Sequence, residues 1–185
     1  PPEVPIDTTW FIDGSLYDES RSFARRVGYG VVAVAPDGQL LAAAFGTPPH
    51  WITDAAGAEL WAYAVVLSLS PAVPLVVTDC KGILDGLIRG LDRQCRPNMM
   101  LARTWMHIAS RLDSDQAVDA AIKALRWMPS HLPLSAIGRI KDSTGRPITS
   151  VMWRANRLVD LLAKREPSAC RIPDVSTRYL GQAAT

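Results

Sequence analysis

The chain has 185 residues, 48% hydrophobic and 21% charged, the length and composition of one globular domain with a real core. No apolar stretch reaches transmembrane length, and the odd set Cys80, Cys95 and Cys170 lacks metal-type spacing, so neither a membrane span, a disulfide framework nor a zinc site is expected. The net charge of +2 conceals a divide, eight acids against three bases through residue 70 and ten acids against seventeen bases after it, which suits either a domain that holds cations at one place and polyanion at another or a plain charged surface.

Residues 1–8, beginning Pro1-Pro2-Glu3-Val4-Pro5 without Met, read as a linker remnant of a longer polypeptide and not as a signal peptide. Three strands are expected next, over Thr9–Leu16, Val27–Ala35 and Gln39–Gly46. The last two are joined by Pro36-Asp37-Gly38, an ordinary hairpin turn between apolar runs. Asp13-Gly14 is the same dipeptide, yet no apolar run follows it; the chain turns polar through Tyr17-Asp18-Glu19-Ser20-Arg21-Ser22. An acid at the end of Trp10-Phe11-Ile12 is costly to bury and out of place in a strand, so a turn and a chemical role both stay open for Asp13.

Ala55 to Leu69 has the length and composition of a helix, stopped by Pro71. Leu75-Val76-Val77-Thr78 is a short apolar run of the kind that forms a buried parallel strand. Lys81–Leu91 and Met99–Leu112 read as helices with an arginine-studded joint between them. Ala124-Leu125-Arg126-Trp127-Met128 reads as a strand ended by Pro129, with helix a rival because of the preceding alanines. A loop holding Gly138, Gly145 and Pro147 leads to an amphipathic helix over Trp153–Arg165, and an irregular tail is expected over 167–185. The order is mixed α/β, an antiparallel meander followed by crossovers, with helices on both faces of a mixed sheet.

Three further acids lie where water is not expected. Glu59 is the only charged residue between Ala55 and Thr78, in a helix apolar on every side; the plain alternative is a helix-start acid favoured by the dipole. Asp79 follows a buried strand, where open α/β sheets place their ligands, or it caps the next helix. Asp160 sits within Leu158-Val159-Asp160-Leu161-Leu162, or simply pairs with Lys164 one turn on. Were the four acids to converge, their repulsion would require cations, and oxygen-only ligands point to Mg²⁺ or Mn²⁺.

The series Ile12-Asp13-Gly14-Ser15, Ala58-Glu59-Leu60, Thr78-Asp79-Cys80 and Asn156-x-x-x-Asp160-x-x-Ala163 resembles type 1 ribonuclease H. Trp127-Met128-Pro129-Ser130-His131 is similar to that family's last strand and mobile histidine loop. The resemblance spans roughly Thr9 to Arg165 and implies a ribonuclease-H-like α/β fold over 9–166, a mixed five-stranded sheet with three antiparallel strands and then parallel ones. The missing Met and proline-rich start suit a retroelement polyprotein, in which such a domain follows a reverse transcriptase.

The resemblance further implies metal-dependent cutting of the RNA strand of an RNA–DNA hybrid, leaving 3′-hydroxyl and 5′-phosphate ends. Asp13, Glu59, Asp79 and Asp160 would hold two Mg²⁺, with Mn²⁺ an accepted substitute, and Asp13 would bridge them. His131 would assist proton movement or product departure, or is a polar loop residue. Nucleic-acid contacts would come from Gly14, Ser15, Thr53, Cys80, Lys81 and Asn156, and from the basic segment Arg89, Arg93 and Arg96. Implied partners are the hybrid and a covalently linked reverse transcriptase, with no membrane, a monomeric isolated domain and an intracellular setting, cytoplasm or nucleus, which the cysteine usage also fits.

The chain departs from the family pattern in four places. Thr53-Asp54-Ala55-Ala56-Gly57 lacks the Asn often found before the Glu, and Lys81 stands where a neutral amide is common. Arg157 replaces an acid after Asn156, and the interval from His131 to Asp160 is long and carries Arg139, Lys141 and Arg146, either an added clamp or a tolerated insertion. A proofreading exonuclease would need Asp-x-Glu on the first strand, and an integrase would end on Glu. The rival of another class is a silent module that binds nucleic acid or a neighbouring polymerase without cutting.

Overall fold

The computed structural model describes residue 5, residues 7–17 and residues 25–169. Most of the expected linker remnant and residues 170–185 of the expected tail lie outside the described residues.

Five strands form one sheet in the order β3-β2-β1-β4-β5. They are β1 (Thr9–Tyr17), β2 (Arg26–Val34), β3 (Leu40–Gly46), β4 (Leu75–Thr78) and β5 (Leu125–Trp127). The first three are antiparallel neighbours, while β4 runs parallel to both β1 and β5. The expected mixed sheet, meander first and crossovers second, is therefore the one observed. Among the described residues no helix is long and apolar enough to cross a membrane.

Alternation along the strands divides the core in two. Trp10, Ile12, Val31, Ala33 and Val76 face one helical layer; Phe11, Val32, Val34 and Val77 face the other. The first layer holds α1 (Ala55–Leu69), α2 (Lys81–Ile88), α4 (Ala102–Ala109) and α5 (Asp115–Ala124), with the short α3 (Leu91–Gln94) between α2 and α4. The second layer is α6 (Ser150–Ala169) with Ile148 and Met128. Helix α1 is apolar all round because it is largely buried, and Asp54 caps it by accepting a bond from the Gly57 N–H at 2.6 Å.

Several boundaries differ from expectation. The helix expected over Lys81–Leu91 ends at Ile88, and α3 starts after Gly90. The alanines before Leu125 form α5, capped by Ser114, which passes directly into β5; helix and strand are both present, one after the other. The irregular tail expected from Pro167 is corrected at its start, since α6 continues to Ala169. Pro167 is buried against β2 at Gly28, and that packing outweighs the missing N–H.

Two glycines set how closely the layers approach the middle of the sheet. A Cβ on Gly14 would run into the Ala55 carbonyl and come within 2.6 Å of the Glu59 nitrogen, so α1 crosses β1 at that point. A Cβ on Gly30, the residue opposite Asp13, would lie 2.8 Å from the Val159 carbonyl, so α6 crosses β2 there. Close approach on both sides brings Glu59 and Asp160 toward Asp13.

Candidate metal and nucleic-acid site

The parallel pairing of β1 with β4 ends at Phe11 and Val77. Beyond that pair β1 continues beside β2 alone, and β4 stops at Thr78. The crevice left at the carboxyl ends of these two strands is where open sheets bind ligands. Asp13 lies on one wall, mid-strand and paired with Gly30, and Asp79 lies on the other, directly after β4. Neither acid makes a turn or a cap: β1 runs on to Tyr17, and the N-cap of α2 is Cys80. Glu59 is the fifth residue of α1, past its first turn, so the dipole does not account for it.

Asp13, Glu59 and Asp79 each present an oxygen within 4.8 Å of the others. Asp13 is 7% exposed and Glu59 4%. One Glu59 oxygen accepts from the Thr78 hydroxyl and from the Cys80 N–H at 3.0 Å. The Gly14 N–H donates to Asp13 at 2.7 Å, and the Trp127 indole N–H donates to the Asp79 carbonyl at 2.8 Å. The Asp13 and Glu59 carboxylates are thus held by backbone and neighbouring groups, and Asp79 through its main chain.

Burial and mutual repulsion hold protons on the cluster. Burial, then the charges of Asp79 and Asp160, push the Asp13 carboxyl up to about 8. Burial and the Asp79 charge raise Glu59 well above the ordinary carboxylate range, against the bond from Thr78. Asp79 is raised chiefly by burial, while its interactions with Glu59 and His131 oppose the shift. Three such groups cannot all ionise unless a cation joins them. The donor set is oxygen alone, which suits Mg²⁺ or Mn²⁺ and not a soft metal. Burial and the Glu59 charge push the Cys80 thiol up to about 11.

Asp160 is not one of the three closest acids, yet it faces Asp13, whose carboxyl it raises by charge and by a side-chain hydrogen bond. The Asp160 carboxylate also pairs with Lys164 Nζ at 2.5 Å, the helical pair that sequence spacing allows. Both residues line the same open cleft of about 770 Å³ as Asp13, Glu59, Asp79 and His131. His131 is exposed and is the one non-glycine residue with positive φ among those described, at 51°. That left-handed conformation is uncommon for a non-glycine residue, and His is among the side chains that adopt it most readily.

The other expected contacts divide into two groups. Gly14, Ser15, Cys80 and Asn156 line the cleft. The Ser15 hydroxyl is engaged by the Ala163 carbonyl at 2.5 Å, tying β1 to α6. Thr53 and Lys81 are exposed and do not line it, and Arg89, Arg93 and Arg96 are exposed on the segment that follows α2. Arg89 lines a smaller groove with Cys80, Gln94 and Trp105. Thr78 and the Trp127 indole were not anticipated as supports. A hydroxyl closing an otherwise apolar strand was the available sign for Thr78; nothing local signals the indole bond, which spans 48 positions.

No protein-family model matches the sequence, and no curated protein matches it. Solved structures do. The solution structure of the PFV RNase H domain is similar with a TM-score of 0.60 and 18% identity, covering 86% of this chain and 93% of that one. A foamy viral protease-reverse transcriptase in complex with RNA/DNA hybrid gives TM-score 0.60 and 18% identity over 90% of this chain. This chain spans 21% of that protein's length. LC9-RNase H1, a type 1 RNase H with the type 2 active-site motif, gives TM-score 0.54 and 16% identity over 89% of this chain and 75% of that one. At such identities the likeness speaks to architecture, and together with the strand order it establishes that this chain has the ribonuclease H fold.

Proposed function

We propose that the chain is a metal-dependent endoribonuclease that hydrolyses the RNA strand of RNA–DNA hybrids, leaving 3′-hydroxyl and 5′-phosphate ends. The observation that carries this reading is the triad of buried Asp13 and Glu59 and half-buried Asp79, with oxygens within 4.8 Å, at the head of an open cleft. Such a cluster is costly to bury as charge and is stabilised by hard cations. Asp13, Glu59 and Asp79, joined by Asp160, would hold two Mg²⁺ or Mn²⁺. The chemistry supplied by such ions is activation of a water and neutralisation of charge on the leaving 3′-oxygen.

The chain's own residues do the rest. Gly14, Ser15, Cys80 and Asn156 are positioned along the cleft to meet the substrate backbone, and His131 stands next to Asp79 to move a proton or help product leave. Arg89, Arg93, Arg96, Lys81 and Thr53 lie outside the cleft lining and would contact phosphates flanking the scissile one. The partner is a hybrid duplex, as in the complex of the foamy viral protein, and a covalently linked reverse transcriptase is proposed on the same likeness. The domain works as a monomer over 9–166, in cytoplasm or nucleus.

One observation favours a second reading. The Lys164 ammonium already pairs with Asp160, an arrangement that a module binding nucleic acid without cutting it would tolerate. A labelled RNA strand annealed to DNA or to RNA, with Mg²⁺, Mn²⁺ or chelator, decides between them. Metal-dependent cutting of the hybrid alone, lost in Asp79→Asn, is the expected result. Retained hybrid binding with no cutting under either metal would overturn the enzyme and support the silent module.

A further inference from the structure

The long interval between His131 and α6 is not a slack loop. Residues 138–148 form a hairpin, closed by bonds from the Gly138 N–H to the Ile148 carbonyl at 2.9 Å and from the Ile148 N–H to the Ile140 carbonyl at 2.8 Å. Lys141 and Pro147 make a bridge further out, and the Asp142 N–H reaches the Arg146 carbonyl at 2.9 Å. Ile148 anchors one arm in the core beneath the sheet. At the tip, Asp142 turns inward and is buried. One of its oxygens accepts from the Thr144 N–H and hydroxyl and from the Arg146 N–H, at 2.8, 2.6 and 3.0 Å.

The hairpin is also stitched to the sheet edge. The Ser143 N–H donates to the Trp127 carbonyl at 2.8 Å, and the Ser143 hydroxyl accepts from the Trp127 N–H at 2.9 Å. Trp127 in turn holds the Asp79 carbonyl. Trp127 therefore connects the hairpin, through Ser143, to the acid triad, through Asp79, by hydrogen bonds.

Its outward charge is of one sign. Arg139, Lys141 and Arg146 are exposed, and none has an ion-pair partner among the described residues. The only acid of the segment is the one folded inward. A tolerated insertion needs neither a buried acid fixing its tip nor two bonds to an edge strand. An ordered arm that keeps its acid inside and three cations outside is complementary to a polyanion.

We propose that hairpin 138–148 is a phosphate-binding arm that extends the nucleic-acid footprint beyond the cleft through Arg139, Lys141 and Arg146. The proposal rests on the nucleic-acid reading of the cleft and adds a contact surface to it. Phosphate contacts by flexible cations carry no sequence information, so the arm strengthens binding to any duplex the cleft accepts.

The test is hybrid binding in chelator, followed by fluorescence anisotropy across a salt series. It compares the wild-type chain, the triple variant R139Q/K141Q/R146Q and Lys123→Gln, which removes an exposed cation of α5. Each phosphate neutralised contributes roughly 0.9 to the slope of log affinity against log salt. The triple variant is expected to lose about 2 to 3 from that slope and about tenfold or more in low-salt affinity, with Lys123→Gln unchanged. An unchanged slope and affinity in the triple variant would sink the arm while leaving the cleft reading intact. An equal loss per charge in Lys123→Gln would reduce the effect to net charge and also overturn it. A wild-type chain that binds no hybrid overturns both the arm and the cleft reading.

Discussion

The same two residues, Asp-Gly, occur at 13–14 and at 37–38 and do opposite things. Around Asp37 every bond is local: the Gly38 N–H reaches the Ala35 carbonyl at 2.9 Å, and the Asp37 carboxylate accepts from the Gln39 N–H at 2.9 Å. The pair turns the chain in water, and Asp37 is exposed. Around Asp13 one bond is local, from the Gly14 N–H, and the other neighbours are remote in the chain. Gly30 lies opposite on β2, α1 crosses at Gly14, and the neighbouring acids come from α1 and from the end of β4. A turn is encoded by four consecutive residues, whereas a site is encoded by several elements that must pack before it exists.

Substitution to Asn separates the two pairs most widely. Asn serves a turn as well as Asp does, so Asp37→Asn should leave cleavage unchanged and stability within about 0.5 kcal/mol. Asp13→Asn removes a charge at the reacting centre, and cleavage of a labelled hybrid should fall by at least roughly 10²–10³-fold, the scale lost with one electrostatic group at such a centre. Comparable activity in both variants would remove Asp13 from the machinery.

Adding a methyl group to each glycine is the next contrast. In Gly14→Ala the new Cβ meets the Ala55 carbonyl, which is backbone and cannot swing aside. The expected cost is about 1–3 kcal/mol in urea unfolding, together with loss of cleavage as Glu59 is pushed away. Gly38→Ala meets only the Val151 side chain, at 3.0 Å, but must hold φ at 92°. Its cost is expected near 1–2 kcal/mol, with cleavage retained. A stable, active Gly14→Ala would show that α1 does not need to touch β1 at that position.

This contrast also explains how much could be read from the chain. The strands, α1 and the hairpin turn were legible because each rests on local pattern: Leu75–Thr78 as an apolar run, Ala55–Leu69 as a helix-length run rich in Ala and Leu and stopped by Pro71. The four acids were legible as misplaced charges, and three of them do converge. The ion pair between Asp160 and Lys164 was equally legible, and only tertiary packing shows that it coexists with the influence of Asp160 on Asp13. Helix α5 was not placed because its alanines suit either state and Ser114 gives the only cap. The extension of α6 through Pro167 contradicts local propensity and depends on burial against β2. The long loop after His131 looked unstructured because its order comes from Trp127 and from one buried Asp.

Acidity tests the same pair in solution. An acid whose carboxyl is raised on folding, Asp13 up to about 8 from a usual value of 3.8, binds its proton more tightly in the folded state. Its stabilising contribution is complete below pH 4 and is lost as the pH rises through 8. Glu59 and Asp79 are raised too and act with the same sign. Without metal, stability should therefore fall from pH 5 to pH 9, with a limiting slope of about 1.4 kcal/mol per pH unit for each proton released. Divalent cations should flatten that fall, because they bind the ionised cluster and offset its repulsion. Asp13→Asn removes one titrating group and should reduce the slope in chelator, whereas Asp37→Asn, with no raised group to lose, should follow the wild-type curve. Thermal melts at pH 5, 7 and 9 with chelator or Mg²⁺ measure this. A metal-free protein as stable at pH 9 as at pH 5 would mean that the three carboxyls already share a compensating charge, and Lys164 beside Asp160 would be the first place to look for it.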